Sequence, residues 1–219
     1  MGETPDSRPP SRHVHRDDAL AWLAAHPAEV PASIVTSLPD VTEQSEHDFD
    51  GWRTWFESAV QRVLDWVSAD GVAIFFQTDV LHQGVWIDKS HLVQTAAAGA
   101  HLGLVWHKIV CRTAPGSTRP GRPGYSHLLC FSRTPRPAFR YALPDVLPDA
   151  GHGASQKAMG VLACELACRF VLDATSTRLV VDPFCGHGTV LAVANSLGLD
   201  AIGVDRSARR CRDARRCAV

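Results

Sequence analysis

The stretch Val181-Asp182-Pro183-Phe184-Cys185-Gly186-His187-Gly188-Thr189 limits the possible fold more than any other. Leu179-Val180-Val181-Asp182 before it is a short apolar run, typical of a strand covered on both faces. Thr189 to Leu197 after it reads as a helix. The turn between them carries two glycines. Glycine has no Cβ and accepts left-handed dihedrals, so such a turn can bring backbone close to a ligand. Further on, Ala201-Ile202-Gly203-Val204-Asp205 is a second strand that ends in an acid. A carboxylate there can accept hydrogen bonds from both hydroxyls of a ribose. The turn does not follow the G-x-G-x-x-G pattern, nor the P-loop pattern with its Gly-Lys-Ser/Thr. Strand, turn, helix, strand and terminal acid together describe a nucleotide-type α/β unit.

The rest of the chain alternates in the same way. His13 to Arg16 is a candidate strand, and Asp17 to Ala25 a helix with Leu20 and Leu23 inward. Ser33 to Ser37 is a β-branched strand closed by Pro39. Asp48 to Ser68 is the clearest helix: Phe49, Trp52, Phe56, Val60, Val63 and Val67 recur at helical steps. Trp52, Trp55 and Trp66 are accordingly assigned to helix packing and not to a base-stacking platform. Val72 to Phe76 is a buried strand and Ser90 to Ala98 a helix. Leu102 to Cys111 and Tyr125 to Phe131 are strands joined without a helix, so they pair antiparallel at one edge. Thr134 to Gly153 is a Pro-rich connection, Ser155 to Asp173 a helix, and Arg206 to Cys217 a basic terminal helix. The alternation predicts an α/β domain, a largely parallel sheet with helices on both faces.

A length of 219 residues with 45% hydrophobic content suits one domain with a sizeable core. Residues 1–11 read as a flexible polar tail and 12–219 as the domain. No apolar run approaches the roughly 20 residues that span a bilayer, so no membrane is expected. Seven cysteines, without a CxxC pair or a secretory N-terminus, fit a reducing cytoplasm and no zinc site. His82, His91, His101 and His107 lack metal-ligand spacing. The net charge of −1 hides segregation. Arg112 to Pro144 holds six arginines and no acid, Arg206 to Arg216 six arginines and one acid, and Asp40 to Asp50 five acids and no Lys or Arg. The two basic segments are the candidate surfaces for a polyanion, and a solvated surface is the plainer reading of them.

The Asp-Pro-Phe-x-Gly-x-Gly-Thr pattern resembles motif I of class I S-adenosylmethionine-dependent methyltransferases. Within that class it is similar to the amino-methyltransferases, which modify adenine N6 or cytosine N4 in DNA, and to related RNA enzymes. Gly153-Ala154-Ser155-Gln156-Lys157-Ala158 is similar to their His-Pro-Thr-Gln-Lys-Pro segment, with Gln156 and Lys157 in common. Asp17-Asp18-Ala19-Leu20 and Ile34-Val35-Thr36-Ser37-Leu38-Pro39-Asp40 resemble the Gly-Asp-Ala-Leu and Asp-Pro-Pro-Tyr regions. The resemblance spans Arg16 to Arg210. It implies S-adenosylmethionine as cofactor and no metal. It implies that Asp18, Asp182, Pro183, Phe184, Gly186, Gly188, Thr189, Asp205 and Lys157 hold the cofactor, Asp18 through the adenine amine. It makes Ser37, Pro39 and Asp40 the catalytic residues. The catalytic motif precedes the cofactor turn, which is the circularly permuted order. The implied fold is a single Rossmann-like methyltransferase domain, circularly permuted, with a mostly parallel seven-stranded sheet in the order 3-2-1-4-5-7-6.

The tetrapeptide departs from the family pattern. Ser37 and Pro39 match, but Leu38 replaces a proline and Asp40 replaces the aromatic that stacks on the extruded base. Leu-Pro is also reminiscent of the Asn-Leu-Pro of tRNA guanine-N1 methyltransferases. Asp40, or Glu43 with less weight, is then a candidate general base; the alternative is that Asp40 caps the following turn. The short interval Arg133 to Gly153 leaves no room for a target-recognition segment, which points to RNA recognised by shape. Lys108, Arg112, Arg119 and Arg122 are candidate substrate contacts, with Arg133, Arg136 and Arg140 as further phosphate contacts. The expected activity is methyl transfer to a base nitrogen of a nucleic acid, with RNA, tRNA first, ahead of DNA. The alternatives are a DNA adenine-N6 or cytosine-N4 methyltransferase and a catalytically silent binding module. No oligomeric state follows from the sequence.

Overall fold

The computed structural model describes residues 8–44, 46–134, 143–153 and 158–219. Gln156, Lys157, Arg136 and Arg140 lie outside the described residues. The chain runs β1 (Arg12–Arg16), α1 (Ala19–Ala25), β2 (Ala32–Thr36), a 3-10 turn (Val41–Glu43), α2 (Phe49–Trp66), β3 (Ala73–Gln77), β4 (Val80–His82), β5 (Val85–Ile87) and α3 (Lys89–Gly99). It continues β6 (Gly103–Cys111), β7 (Tyr125–Ser132), β8 (Val146–Leu147), α4 (Val161–Ala174), β9 (Leu179–Asp182), α5 (Thr189–Ser196), β10 (Asp200–Asp205) and α6 (Ala208–Arg216).

The main sheet has the order β1-β10-β9-β2-β3-β7-β6-β8. Strands β1 to β3 in that order are parallel neighbours; β7 alone runs against the strands beside it. With β9 counted as strand 1, this is the expected 3-2-1-4-5-7-6. The sheet has eight strands, not seven, because β8 adds to the outer edge of β6. That two-residue strand lies inside the Pro-rich connection, too short for any alternation to announce it. The separate β4–β5 hairpin is the other addition. Gln83 and Gly84 at its tip both have positive φ, 48° and 80°, the backbone of a tight two-residue hairpin turn.

Helices cover both faces. Phe170 and Leu191 of α4 and α5 pack with Val35, Ile74 and Leu128 on one face. Trp52, Phe56, Val60 and Val63 of α2 pack with Ile34, Phe75 and Leu129 on the other. In α1 the buried side chains are Ala19, Trp22 and Leu23, and Leu20 is only half-buried. All seven cysteines are free, and six are buried. Burial pushes the Cys168 thiol up to about 12, which suits packing and not reactivity. Among the described residues no helix is long and apolar enough to cross a membrane.

The permuted ends are stitched together. β1 pairs with β10 along its whole length, from Arg12 beside Ala201 to Arg16 beside Asp205. Arg12 donates to Asn195 Oδ1 and to the carbonyls of Ala214 and Cys217, and Arg215 donates to the Val14 carbonyl. Arg8 and Ser11 both bond to the Asp200 carboxylate.

Gly188 shows why the second glycine of the turn is required. It starts α5 at φ 86°, and a Cβ there would stand 2.6 Å from the Ala214 Cα on α6. Gly188→Ala therefore combines backbone strain with a clash against a helix backbone. We expect a loss of about 1–3 kcal/mol, read in thermal unfolding as a fall in Tm of roughly 2–12 °C. An unchanged Tm would show that α6 gives way freely.

Candidate active site

The sheet changes direction of travel between β9 and β2, neighbours that lead to helices on opposite faces. Open α/β sheets form their ligand crevice at this place, beyond the carboxyl ends of the strands. Here a cleft of about 950 Å³ lies there. Its wall includes Asp18, Ser37, Leu38, Pro39, Trp55, Arg122, Asp182, Phe184, Gly186, Thr189 and Asp205.

Two strand ends are tied at its floor. Asp182, at the end of β9, is 3% exposed. Its Oδ1 accepts from Thr36 Oγ1 at 2.6 Å, at the end of β2, and from the Phe184 N–H at 3.1 Å. Burial raises its carboxyl from the ordinary 3.8 to about 7, against the lowering by those two bonds. Gly186 has φ 51°, and a Cβ built on it would meet nothing within 4 Å. Its backbone therefore faces open cleft, as a turn that cradles a ligand requires. Asp205 Oδ1 accepts from the Ser207 N–H at 2.7 Å, and Oδ2 lies 3.7 Å from Arg210. Asp18 caps α1 through Oδ1, which accepts from the N–H groups of Leu20 and Ala21. Two acids at one end, an open glycine turn in the middle and an apolar wall beyond fit an adenosyl group with an amino-acid tail.

The tetrapeptide is held from behind. Trp52 Nε1 donates to the Pro39 carbonyl at 3.3 Å. Lys89, 2% exposed, reaches the Leu38 carbonyl at 3.5 Å, with its ammonium 5.1 Å from the Phe56 ring centre and 5.9 Å from that of Trp52. A lysine beside the Asp88 cap of α3 carries no local signal of burial, so nothing in the pattern around it singles it out.

Of the sequence-predicted residues, Asp18, Ser37, Pro39, Asp182, Pro183, Phe184, Gly186, Thr189, Asp205 and Arg122 meet in this cleft. Gly188 packs against α6 instead of lining it. Asp40 is absent from the wall: its Oδ1 accepts from the N–H and Oγ1 of Thr42, in a capping box with Glu43. Lys108 is buried on β6 and donates to Asp145 at 2.7 Å and to the Leu143 carbonyl, away from the cleft. Arg112 lies over the Phe76 ring at 5.8 Å, and Arg119 is exposed. Trp55, assigned to helix packing, is half-buried: it packs in part against the core and also contributes to the wall.

The acidic stretch and the terminal basic segment partly neutralise each other. Arg206 bonds to Glu46 at 2.7 Å and to Gln44 at 3.3 Å, and Arg210 stands 3.9 Å from Glu43. The segment after the tetrapeptide is thereby pinned to the end of β10. Elsewhere, Asp79, Asp88 and His127 bring possible ligand atoms within 4.8 Å, but His127 already bonds to Asp79 and to His107, and Asp88 caps α3.

The DNA methylase family profile matches residues 161–216, from α4 through α6. The fold matches that of TTHA0409 from Thermus thermophilus, a candidate DNA modification methylase, solved with S-adenosylmethionine: TM-score 0.71, 20% identity, 94% of this chain and 93% of that one. It also matches the cytosine-N4-specific PvuII DNA methyltransferase, with TM-score 0.74, 16% identity, and 95% and 88% coverage. The fold is that of these DNA methylases, and the segment from α4 through α6 carries their family's sequence pattern. No sequence among the curated proteins matches this chain. The M1.HpyAVI complex with its cofactor is a more distant likeness, with TM-score 0.62 and 12% identity over 94% of this chain and 97% of that one.

The raised Asp182 carboxyl makes stability depend on pH. The native state keeps this proton up to about pH 7, whereas the unfolded chain loses it near 3.8. The stabilising contribution is full below the unfolded value and is lost as pH rises towards 7, by on the order of 4 kcal/mol at most. Asp182→Asn can still accept from Thr36 and Phe184 and should flatten that decline. Urea unfolding at intervals between pH 4 and 7 checks it; parallel curves for the two proteins would rule it out.

Proposed function

We propose that this protein is an S-adenosylmethionine-dependent methyltransferase that acts on DNA, at the exocyclic amine of adenine (N6) or cytosine (N4). The observation that carries the reading is the Thr36–Asp182 bond, which joins the strand leading to Ser37-Leu38-Pro39 to the strand leading to the glycine turn. The residues proposed for the cofactor and those proposed for the target thus line one cleft. The DNA methylase profile and the DNA methylases of like fold favour DNA over the RNA that the Leu-Pro element suggested.

Bound S-adenosylmethionine supplies an electrophilic methyl group on its sulfonium. Asp205 and Asp18 hold the nucleoside end, and the Phe184–Gly186 backbone and Asp182 the amino-acid end. Ser37 Oγ and the Leu38 carbonyl accept the two N–H bonds of the target amine. That takes the nitrogen lone pair out of ring conjugation and aims it at the methyl carbon. The proton that the amine sheds on methylation would leave through Ser37 Oγ to water. Lys89 and Trp52 fix the two carbonyls of the tetrapeptide from behind. Arg122 offers a cation at the cleft for a flanking phosphate.

Purified protein with labelled cofactor is expected to methylate random-sequence DNA, with N6-methyladenine or N4-methylcytosine found on nucleoside mass spectrometry. Label in tRNA and none in DNA would reverse the substrate order. Label in neither, with cofactor bound, would leave the silent module as the reading.

Asp40 serves as a cap in this reading. Asp40→Asn keeps an acceptor for Thr42 and should leave turnover within about twofold. A general base at this place would cost about 10²–10⁴ in rate on removal, so a loss of that size under saturating substrates would restore Asp40 to the chemistry.

A further inference from the structure

We propose that Trp55, with Phe184, forms the stacking subsite for the extruded target base, replacing the aromatic that the tetrapeptide lacks. The inference rests on the nucleic-acid methyltransferase reading.

A base drawn out of a helix needs an apolar, planar partner to offset the lost stacking. In Ser37-Leu38-Pro39-Asp40 the fourth residue cannot supply it. Asp40 has no ring, its carboxylate is engaged by Thr42, and it does not line the cleft. Among the described residues on that wall, two large aromatic side chains occur, Trp55 and Phe184. Their rings meet edge to face, with centroids 5.9 Å apart at 81°. They come from opposite sides of the switch point, Trp55 from α2 and Phe184 from the turn after β9.

The position of Trp55 is fixed by its neighbours. Trp52 and Phe56 on the same helix are 0% exposed, which locks the rotation of α2. Trp52 also bonds to the Pro39 carbonyl. The helix that carries Trp55 is therefore tied to the backbone that would hold the target amine. Phe184 is set by the bond from its N–H to Asp182. The Trp55 indole packs in part against the core beneath α2 and leaves the rest of its ring on the cleft wall, a large polarisable surface to offer. Stacking is tolerant of base identity because every base has a π-face. The subsite would then hold the base, while Ser37 and the Leu38 carbonyl recognise its amine.

Three variants test this: Trp55→Ala, Trp55→Leu, which keeps apolar bulk without a ring, and Trp55→Phe, which keeps a ring. Methyl transfer to random-sequence DNA, duplex and heat-denatured, gives KM for DNA, and calorimetry gives Kd for the cofactor. Loss of one base–aromatic stack corresponds to a rise of about 5- to 150-fold in KM for DNA. Trp55→Ala and Trp55→Leu should show that rise and Trp55→Phe should recover most of it, with cofactor Kd within about twofold throughout. An unchanged KM for DNA in Trp55→Leu overturns the proposal. So does a weakened cofactor Kd with KM for DNA unchanged, which would assign Trp55 to the cofactor.

A second readout needs no turnover. Deoxyadenosine or deoxycytidine added to the wild-type protein with demethylated cofactor bound should quench tryptophan emission, and Trp55→Leu should lose that quenching. Its absence in the wild type overturns the subsite. Quenching without methyl transfer to any nucleic acid would keep the subsite and reject the enzyme reading.

Discussion

The hydrogen bond from Thr36 to the buried Asp182 carboxylate is the point on which this molecule is assembled. It spans the switch point, where one strand leads to the tetrapeptide and its neighbour to the glycine turn. The bond is short, at 2.6 Å, and fully buried, so water does not compete for either partner. A carboxylate in that place is costly to ionise, which is why its proton is held to about pH 7. The same oxygen takes the Phe184 N–H, so one atom sets the β2 end, the β9 end and the entry to the turn.

Around this point the wall is built by indirect support. Lys89 and Trp52, neither of them on the cleft wall, bond to successive carbonyls of the tetrapeptide. Arg206 ties the following segment to the end of β10 through Glu46 and Gln44. The charge segregation that suggested a surface for a polyanion is in part an internal lock. Arg215 is engaged by the Val14 carbonyl, and Arg122 remains the arginine of the loop after β6 that reaches the cleft. Net charge could not distinguish these uses, because a cation facing a carboxylate across the fold is counted the same as one facing solvent.

The elements themselves were largely legible. Leu179 to Asp182, Thr189 to Leu197 and Ala201 to Asp205 announce themselves by short-range pattern, and each forms within a residue or two of its expected bounds. The misses share a cause. β8 and the β4–β5 hairpin are two and three residues per strand, shorter than the period that would reveal them. Trp55 was assigned to helix packing, which it makes in part, while its share in the cleft wall has no local signal. Its exposure follows from a rotation of α2 that Trp52 and Phe56 set by packing on β2 and β3. The burial of Lys89 has no local signal, and of the two readings open for Asp40, base or cap, the fold shows the capping bonds.

Local pattern was enough to set the element types, the permuted order of the motifs and the turn at 182–189. Each of these rests on short-range rules: side-chain period, glycine dihedrals, and strand-to-helix alternation. Which residues share the cleft was settled by the folded chain alone. Asp18 and Asp205 line one cleft because β1 pairs in register with β10, and Ser37 and Phe184 line it together because β2 lies beside β9. Strand neighbours and helix rotation are set by long-range packing, which no short window of sequence records. That is why the place of Trp55 on the wall, the burial of Lys89, the pairing of Lys108 with Asp145 and the capping bonds of Asp40 emerged only once the chain was folded.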